Sequence, residues 1–286
     1  MKLREPVVAR PLGHLIFGSP TSNLGYGDLL QNPSVEISIA AIQPGSIGEP
    51  RAPSLASAEI HVWEIPLLVS ELAFAHCANL LSSEEHTRAS RFHFEKDARR
   101  FTVARGCVRS ILAGYALLPA SDLRFIYAQH GKPSLAQAAI DIRFSVSHSG
   151  DMALLGVALE REVGVDIEAV REDIETDKLA ERFFSVHERE SLRLLPLEQR
   201  VPSFFRCWSC KEAFLKAQGV GLSRPLGSFD VDTNPGQAAR LLSTRPDPSE
   251  AARWSLYKVE TAPGYAAAAA VEGSITAMTI LRSRQT

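Results

Sequence analysis

The chain lacks the features by which many compartments and partners mark a sequence. Four cysteines in 286 residues (Cys77, Cys107, Cys207 and Cys210) are too few for a disulfide framework. No apolar run approaches the ~18–20 residues that a membrane-spanning helix needs. The opening MKLREPVVARPLGHL holds no apolar stretch of the secretory kind. Charge is balanced, with 31 Lys and Arg against 33 Asp and Glu and a formal net charge of −2, so no global basic field points to nucleic acid. Together these absences predict a cytoplasmic protein with reduced thiols that binds neither membrane nor nucleic acid. With 45% hydrophobic residues, the chain can bury one large core or two small ones.

Residues 1–58 are rich in Gly, Pro and Ser and keep no apolar period, which predicts a poorly ordered N-terminal extension with at most one strand, near 35–42. From Glu59 the pattern sharpens. EIHVWEI (59–65) alternates like a strand. Ser82 and Glu85 form a capping box at the start of a helix. A longer helix over 97–117 carries Phe101, Ala104, Val108, Ile111, Leu112 and Tyr115 on one face, and Pro119 ends it. Strands are predicted near 123–127, 142–147 and 153–159. The same order then recurs about 103 residues later. Ser185/Glu188 answers Ser82/Glu85, helices are predicted at 176–184, 187–195 and 203–217, and strands near 163–169, 228–232, 254–260, 264–271 and 275–281. The repeat is one of pattern, with slight identity. It predicts an α+β fold of two similar halves, 59–161 and 162–286, with a cleft between them that would suit a ligand.

Three motifs carry chemistry. In EVGVDIEAV (162–170), Val163, Val165 and Ile167 alternate with Gly164, Asp166 and Glu168. Side chains two apart on a strand share a face, so the two carboxylates stand together over an apolar anchor. Such a pair repels itself unless a cation joins it or one acid stays protonated, and paired hard oxygens suit Mg²⁺. A solvated strand face is the plainer alternative. In FRCWSCKEAFLKAQGVGL (205–222), Trp208, Glu212 and Lys216 fall on one helical stripe, with Lys211 beside it. A surface ion pair would read the same, but the bulky Trp208 argues for partial burial. HGKPSL (130–135) and FSVSHSGDMALLGVAL (144–159) supply hydroxyls, His148 and turn glycines of the kind that hold phosphate oxygens. Nothing there forms a nucleophile elbow. Cys207 and Cys210 lie inside a helix without the further ligands that zinc requires.

With Gly131-Lys132-Pro133, the run from Phe144 to Ser149, Gly164-Val165-Asp166-Ile167-Glu168, the stretch from Trp208 to Lys216 and the arginine-rich RFHFEKDARRFTVARG (91–106), residues 59–286 resemble the Sfp-type 4′-phosphopantetheinyl transferase family. The family's helix near 83–92 often opens on a basic residue. Here that turn reads Glu84-Glu85-His86, with Arg88 its firmly basic member.

The resemblance implies two pseudo-twofold α+β halves, the first binding coenzyme A and the second binding metal and doing the chemistry. The 4′-phosphopantetheine arm of coenzyme A would pass to a serine of an apo acyl, peptidyl or aryl carrier protein, releasing 3′,5′-ADP. Asp166, Glu168 and Glu212 would hold Mg²⁺. Glu212 and Lys216 would be catalytic. Arg88, Arg100, Gly131, Lys132, Pro133, Ser147, His148, Lys211 and Lys216 would contact the nucleotide and its phosphates. Because one chain builds both sides of the cleft, a monomer is expected. Two rivals remain: a carrier-docking homologue without activity, and a Mg²⁺-dependent pyrophosphohydrolase of coenzyme A.

Overall fold

The computed structural model describes residues 35–42, 52–136, 139–232 and 234–283. Within the stretch expected as an extension, β1 (Glu36–Ile42) forms a strand. The rest of that expectation, over residues 1–34 and 43–51, lies outside the described residues.

The first unit runs β2 (Glu59–Pro66), α1 (Glu71–Asn79), α2 (Ser83–Ala89), α3 (Glu95–Ala116), a ribbon of β3 (Phe125–Tyr127) and β4 (Pro133–Leu135), then β5 (Ile142–Ser149) and β6 (Met152–Leu159). The second repeats it: β7 (Val163–Ala169), α4 (Thr176–Phe183), α5 (Val186–Leu194), α6 (Leu197–Gln218), a ribbon of β8 (Phe229–Val231) and β9 (Leu241–Thr244), then β10 (Trp254–Lys258) and β11 (Tyr265–Glu272). In each unit the last two strands pair back on the first, giving the antiparallel orders β2-β6-β5 and β7-β11-β10. Both capping boxes form, Ser82 with Glu85 and Ser185 with Glu188. α3 and α6 are each 22 residues long. α6 begins earlier than the sequence suggests, because Pro202 is accommodated within its opening turns instead of setting its start.

β12 (Ala277–Ser283) breaks the symmetry. It leaves the second unit and inserts between β1 and β2, parallel to both, so the first sheet has five strands in the order β1-β12-β2-β6-β5. Each unit has its own core under its long helix, and a third core joins the two sheets. That shared core packs Ile60, Val62, Leu154, Met278 and Ile280 from the first sheet against Val163, Val165, Ile167, Ala267 and Ala269 from the second. β7 therefore turns its apolar face to the other sheet and its acidic face to α6. Among the described residues no helix is long and apolar enough to cross a membrane.

Candidate functional site

Gly164 sets how close α6 can lie. A Cβ there would stand 2.1 Å from the Ala213 carbonyl oxygen and 2.3 Å from the Ala217 nitrogen, so only glycine lets the helix rest on the strand. Small side chains on β11, Ala266, Ala268 and Ala270, pack against the same helix. With the helix seated, Glu212 and Lys216 come down beside Asp166 and Glu168, as their spacing predicts. Lys216 Nζ lies 2.6 Å from Asp166 Oδ1 and 2.8 Å from Ser147 Oγ. The three acids are almost fully buried.

Three buried carboxylates this close cannot all ionise cheaply. Burial, then repulsion from Asp166, pushes the Glu168 carboxyl up to about 8, although a hydrogen bond from Ser149 acts the other way. Burial and Asp166 likewise push Glu212 up to about 7. Burial works against the charge on Lys216, but Asp166 and Glu212 outweigh it and hold its pKa above the ordinary lysine value. Asp166 Oδ2 is buried with no hydrogen-bond partner. In the arrangement present, no group of three or more His, Cys, Asp or Glu among the described residues is set to hold a metal ion.

A cationic wall faces this cluster. His148 opens to solvent on one side, while Lys216, Arg88 and Arg100 act on its ring. Loss of hydration and then those three charges hold its pKa below the ordinary histidine value. Arg88 lies over the Phe101 ring, 5.2 Å from its centroid. Arg100 donates from Nε to Asp151 Oδ1 at 2.9 Å. Asp151 is itself held by a bond from its backbone N–H to the Tyr265 hydroxyl at 3.2 Å. On the same helix as Arg100, Arg105 and Arg109 turn inward to Glu85.

One expected ligand contact is corrected by this geometry, and two further residues already have partners within the chain. Lys211 does not reach the cleft. It is fully buried, pairs with Glu188 at 2.7 Å and donates to the carbonyls of Leu226 and Phe229 at 2.8 and 2.7 Å. One residue along a helix is a turn of about 100°, so Glu212 on the site face puts Lys211 on the core face. The Ser147 hydroxyl is shared within the chain. Its Oγ donates to Asp166 Oδ1 at 2.9 Å and accepts from Lys216 and the Ile167 N–H. The Lys132 amine ties the units together, donating to Glu162 and, at 2.5 Å, to the Ala217 carbonyl.

Gly131, with φ 86°, shapes the turn from β3 to β4, and its Gly131-Lys132-Pro133 run lies against the end of α6, where Lys132 Cδ would be 3.0 Å from a Cβ on Gly219. A cavity of about 460 Å³ opens here, lined by Lys132, Pro133, Phe144, Gly219 and Trp254. It contains none of the three acids, which sit further along the α6–β7 contact.

From the sequence, Ser145 and Ser149 stand only within a hydroxyl cluster suited to phosphate, and Asp151 and Glu162 carry no role. The period-two spacing of Ser145, Ser147 and Ser149 was a usable signal for a shared strand face. Nothing local marked Asp151 or Glu162, whose partners are distant in the chain.

Residues 162–270 match the family described as the 4′-phosphopantetheinyl transferase superfamily, and residues 69–160 match the 4′-phosphopantetheinyl transferase N-terminal family. The chain is 40% identical over 228 residues to the 4′-phosphopantetheinyl transferase HetI of Nostoc, covering 78% of this chain and 93% of that protein. It is 32% identical over 187 residues to the 4′-phosphopantetheinyl transferase Sfp of Bacillus subtilis, covering 65% of this chain and 80% of Sfp. Two family models that meet at the junction of the structural repeat, and a relative matched over nearly its whole length, place the chain in the Sfp-type 4′-phosphopantetheinyl transferase family.

Proposed function

We infer that this enzyme transfers the 4′-phosphopantetheine arm of coenzyme A to a serine of an apo carrier protein, with Mg²⁺ held by Asp166, Glu168 and Glu212. The observation that carries the reading is the meeting of these acids with Lys216 at the junction of the units, beside His148, on which Lys216, Arg88 and Arg100 all act. The donor set fits a hard divalent cation. All its groups are oxygen acids, one buried carboxylate oxygen has no partner, and mutual repulsion keeps two of the acids above their ordinary pKa. When bound, Mg²⁺ supplies neutralisation of the pyrophosphate charge.

The chain's own groups do the rest. Arg88, Arg100 and His148 bind phosphate oxygens and orient the pyrophosphate, and catalysis of this kind rests on positioning and charge stabilisation. The carrier serine Oγ attacks the pantetheine-side phosphorus and the bond to the second phosphate breaks, releasing 3′,5′-ADP. Glu212 takes the serine proton, directly or through water. Lys216 steadies the charge that develops on the departing phosphate. Acyl, peptidyl and aryl carriers are all compatible with this chemistry. Four free cysteines fit a cytoplasmic enzyme, and a cleft built by one chain fits a monomer.

The test is incubation with coenzyme A, Mg²⁺ and a panel of apo-carriers, read by intact mass. A carrier should gain one phosphopantetheine and EDTA should stop the gain. Breakdown of coenzyme A without any carrier would instead establish the pyrophosphohydrolase.

A further inference from the structure

β5 and β7 belong to different units and run side by side without a backbone ladder between them. Their join is made by three serine hydroxyls. The Val165 N–H donates to Ser145 Oγ at 3.1 Å, the Ile167 N–H to Ser147 Oγ at 3.3 Å and the Ala169 N–H to Ser149 Oγ at 3.1 Å. Two of these hydroxyls pass a bond onward. Ser147 donates to Asp166 Oδ1 and Ser149 to Glu168 Oε2, each at 2.9 Å. All three serines are buried. The pattern steps by two residues on both strands, and at the third rung the residue facing Ser145 is Gly164, which has no side chain to receive a bond.

A hydroxyl has one proton and two lone pairs. Once the oxygen is held by a backbone N–H, its proton is left to point at the carboxylate one residue earlier on β7. Each acid is thereby held by one oxygen, and in Asp166 the other, Oδ2, is left buried and unpartnered. Because the serines ride on the first unit and the acids on the second, the acids are aligned only when the units are docked.

We propose that Ser149 and Ser147 are positioning residues that each fix one metal-binding carboxylate across the unit junction, and that Ser145, on the same ladder, serves structure alone. The proposal rests on the reading of Asp166 and Glu168 as Mg²⁺ ligands. Hydrogen-bond partners of ligating groups commonly change metal affinity by ~10- to 100-fold. Ser147 also receives Lys216, so Ser149 gives the cleaner test.

Binding of Mn²⁺ to the full chain is measured by electron paramagnetic resonance, alongside thermal unfolding, in wild type, Ser145→Ala, Ser149→Ala, Ser149→Cys and Glu168→Ala. Ser145→Ala and Ser149→Ala each leave one β7 N–H without its acceptor, so they should lower the melting temperature by similar amounts. Ser149→Ala alone should also raise the Mn²⁺ dissociation constant, by ~10- to 100-fold. Ser149→Cys, close in size but a weak donor, should fall between. Equal Mn²⁺ affinity in Ser145→Ala and Ser149→Ala, with Glu168→Ala still abolishing binding, would overturn the positioning role and leave the metal reading standing. Equal binding by wild type and Glu168→Ala would remove the metal reading and this proposal with it.

Discussion

The two units solve the same packing problem with the same parts. In the first, the capping-box Glu85 receives Arg109, whose Nη1 reaches the carbonyls of Ala120 and Leu123 at 2.6 and 3.0 Å. In the second, Glu188 receives Lys211, which reaches the carbonyls of Leu226 and Phe229. A buried acid and base thus lock each long helix to the turn before its ribbon. The units part company under the helix. Gly164, Asp166 and Glu168 face α6 on β7, and 103 residues earlier His61, Trp63 and Ile65 stand on β2. There the face is ordinary core. Trp63 and Ile65 are buried beneath α3, and Trp63 Nε1 and His61 Nδ1 meet the Tyr115 hydroxyl at 2.9 and 2.5 Å. One architecture therefore carries either a hydrophobic core or a charged centre, and the glycine that admits α6 marks the difference.

Mutations on the two matching faces should have opposite signatures. Asp166→Ala, Glu168→Ala and Glu212→Gln should each slow single-turnover transfer at least ~100-fold, about 3 kcal/mol or more of transition-state stabilisation. The metal-free melting temperature of Glu168→Ala and Glu212→Gln should not fall, since each removes repulsion from a buried acid cluster, whereas Asp166→Ala should lower it by taking the partner of Lys216. Trp63→Ala should lose about 3–5 kcal/mol of stability, with little change in transfer per folded molecule. Near wild-type turnover in Glu168→Ala at saturating Mg²⁺ would break the comparison at its root.

The paired locks give the next largest effect. Lys211→Met leaves Glu188 buried without its cation and should cost about 3–5 kcal/mol, measurable by denaturant unfolding. Lys216→Met should also destabilise, since the buried Asp166 loses its cation, but unlike Lys211→Met it should cut kcat strongly per folded molecule. Equal kcat per folded molecule in the two variants would erase the distinction between core and site faces of α6.

Gly164→Ala sharpens the point about approach. Its methyl must push α6 off β7 and should cost ~1–3 kcal/mol, with a disproportionate loss of transfer because Glu212 and Lys216 move with the helix.

A smaller effect is a pH dependence belonging to the second unit. Glu168 and Glu212 have raised pKa values, so the folded chain keeps protons that the unfolded chain releases. Their contribution to stability is present in full below the ordinary carboxylate range and is lost as pH rises through about 7 to 8. In EDTA the melting temperature should therefore decline from pH 6 to pH 8.5 relative to a Glu168→Gln/Glu212→Gln variant, and Mg²⁺ should restore it at the upper end. Parallel profiles would show that the acids do not titrate as described.

Much of this was legible because it is local. Alternation at period two put Asp166 and Glu168 on one face of β7, and the two capping boxes and the doubled element order announced the repeat. The helical stripe of Trp208, Glu212 and Lys216 also held, since spacing along a regular element needs no knowledge of what lies opposite. Partners distant in the chain could not be read this way. Lys211 and Lys216 are both basic residues on one helix, and only packing reveals that one meets Glu188 in the core and the other Asp166 in the site. Ser147 offers a hydroxyl that would suit a phosphate, and nothing local shows that β7 shares it. β12 alternates like any strand, yet it joins the sheet of the other unit, where Met278 and Ile280 find a deeper shared core. Backbone periodicity, a property of neighbours in the chain, thus settled which residues share a face, while burial and pairing across the unit junction settled what each face does.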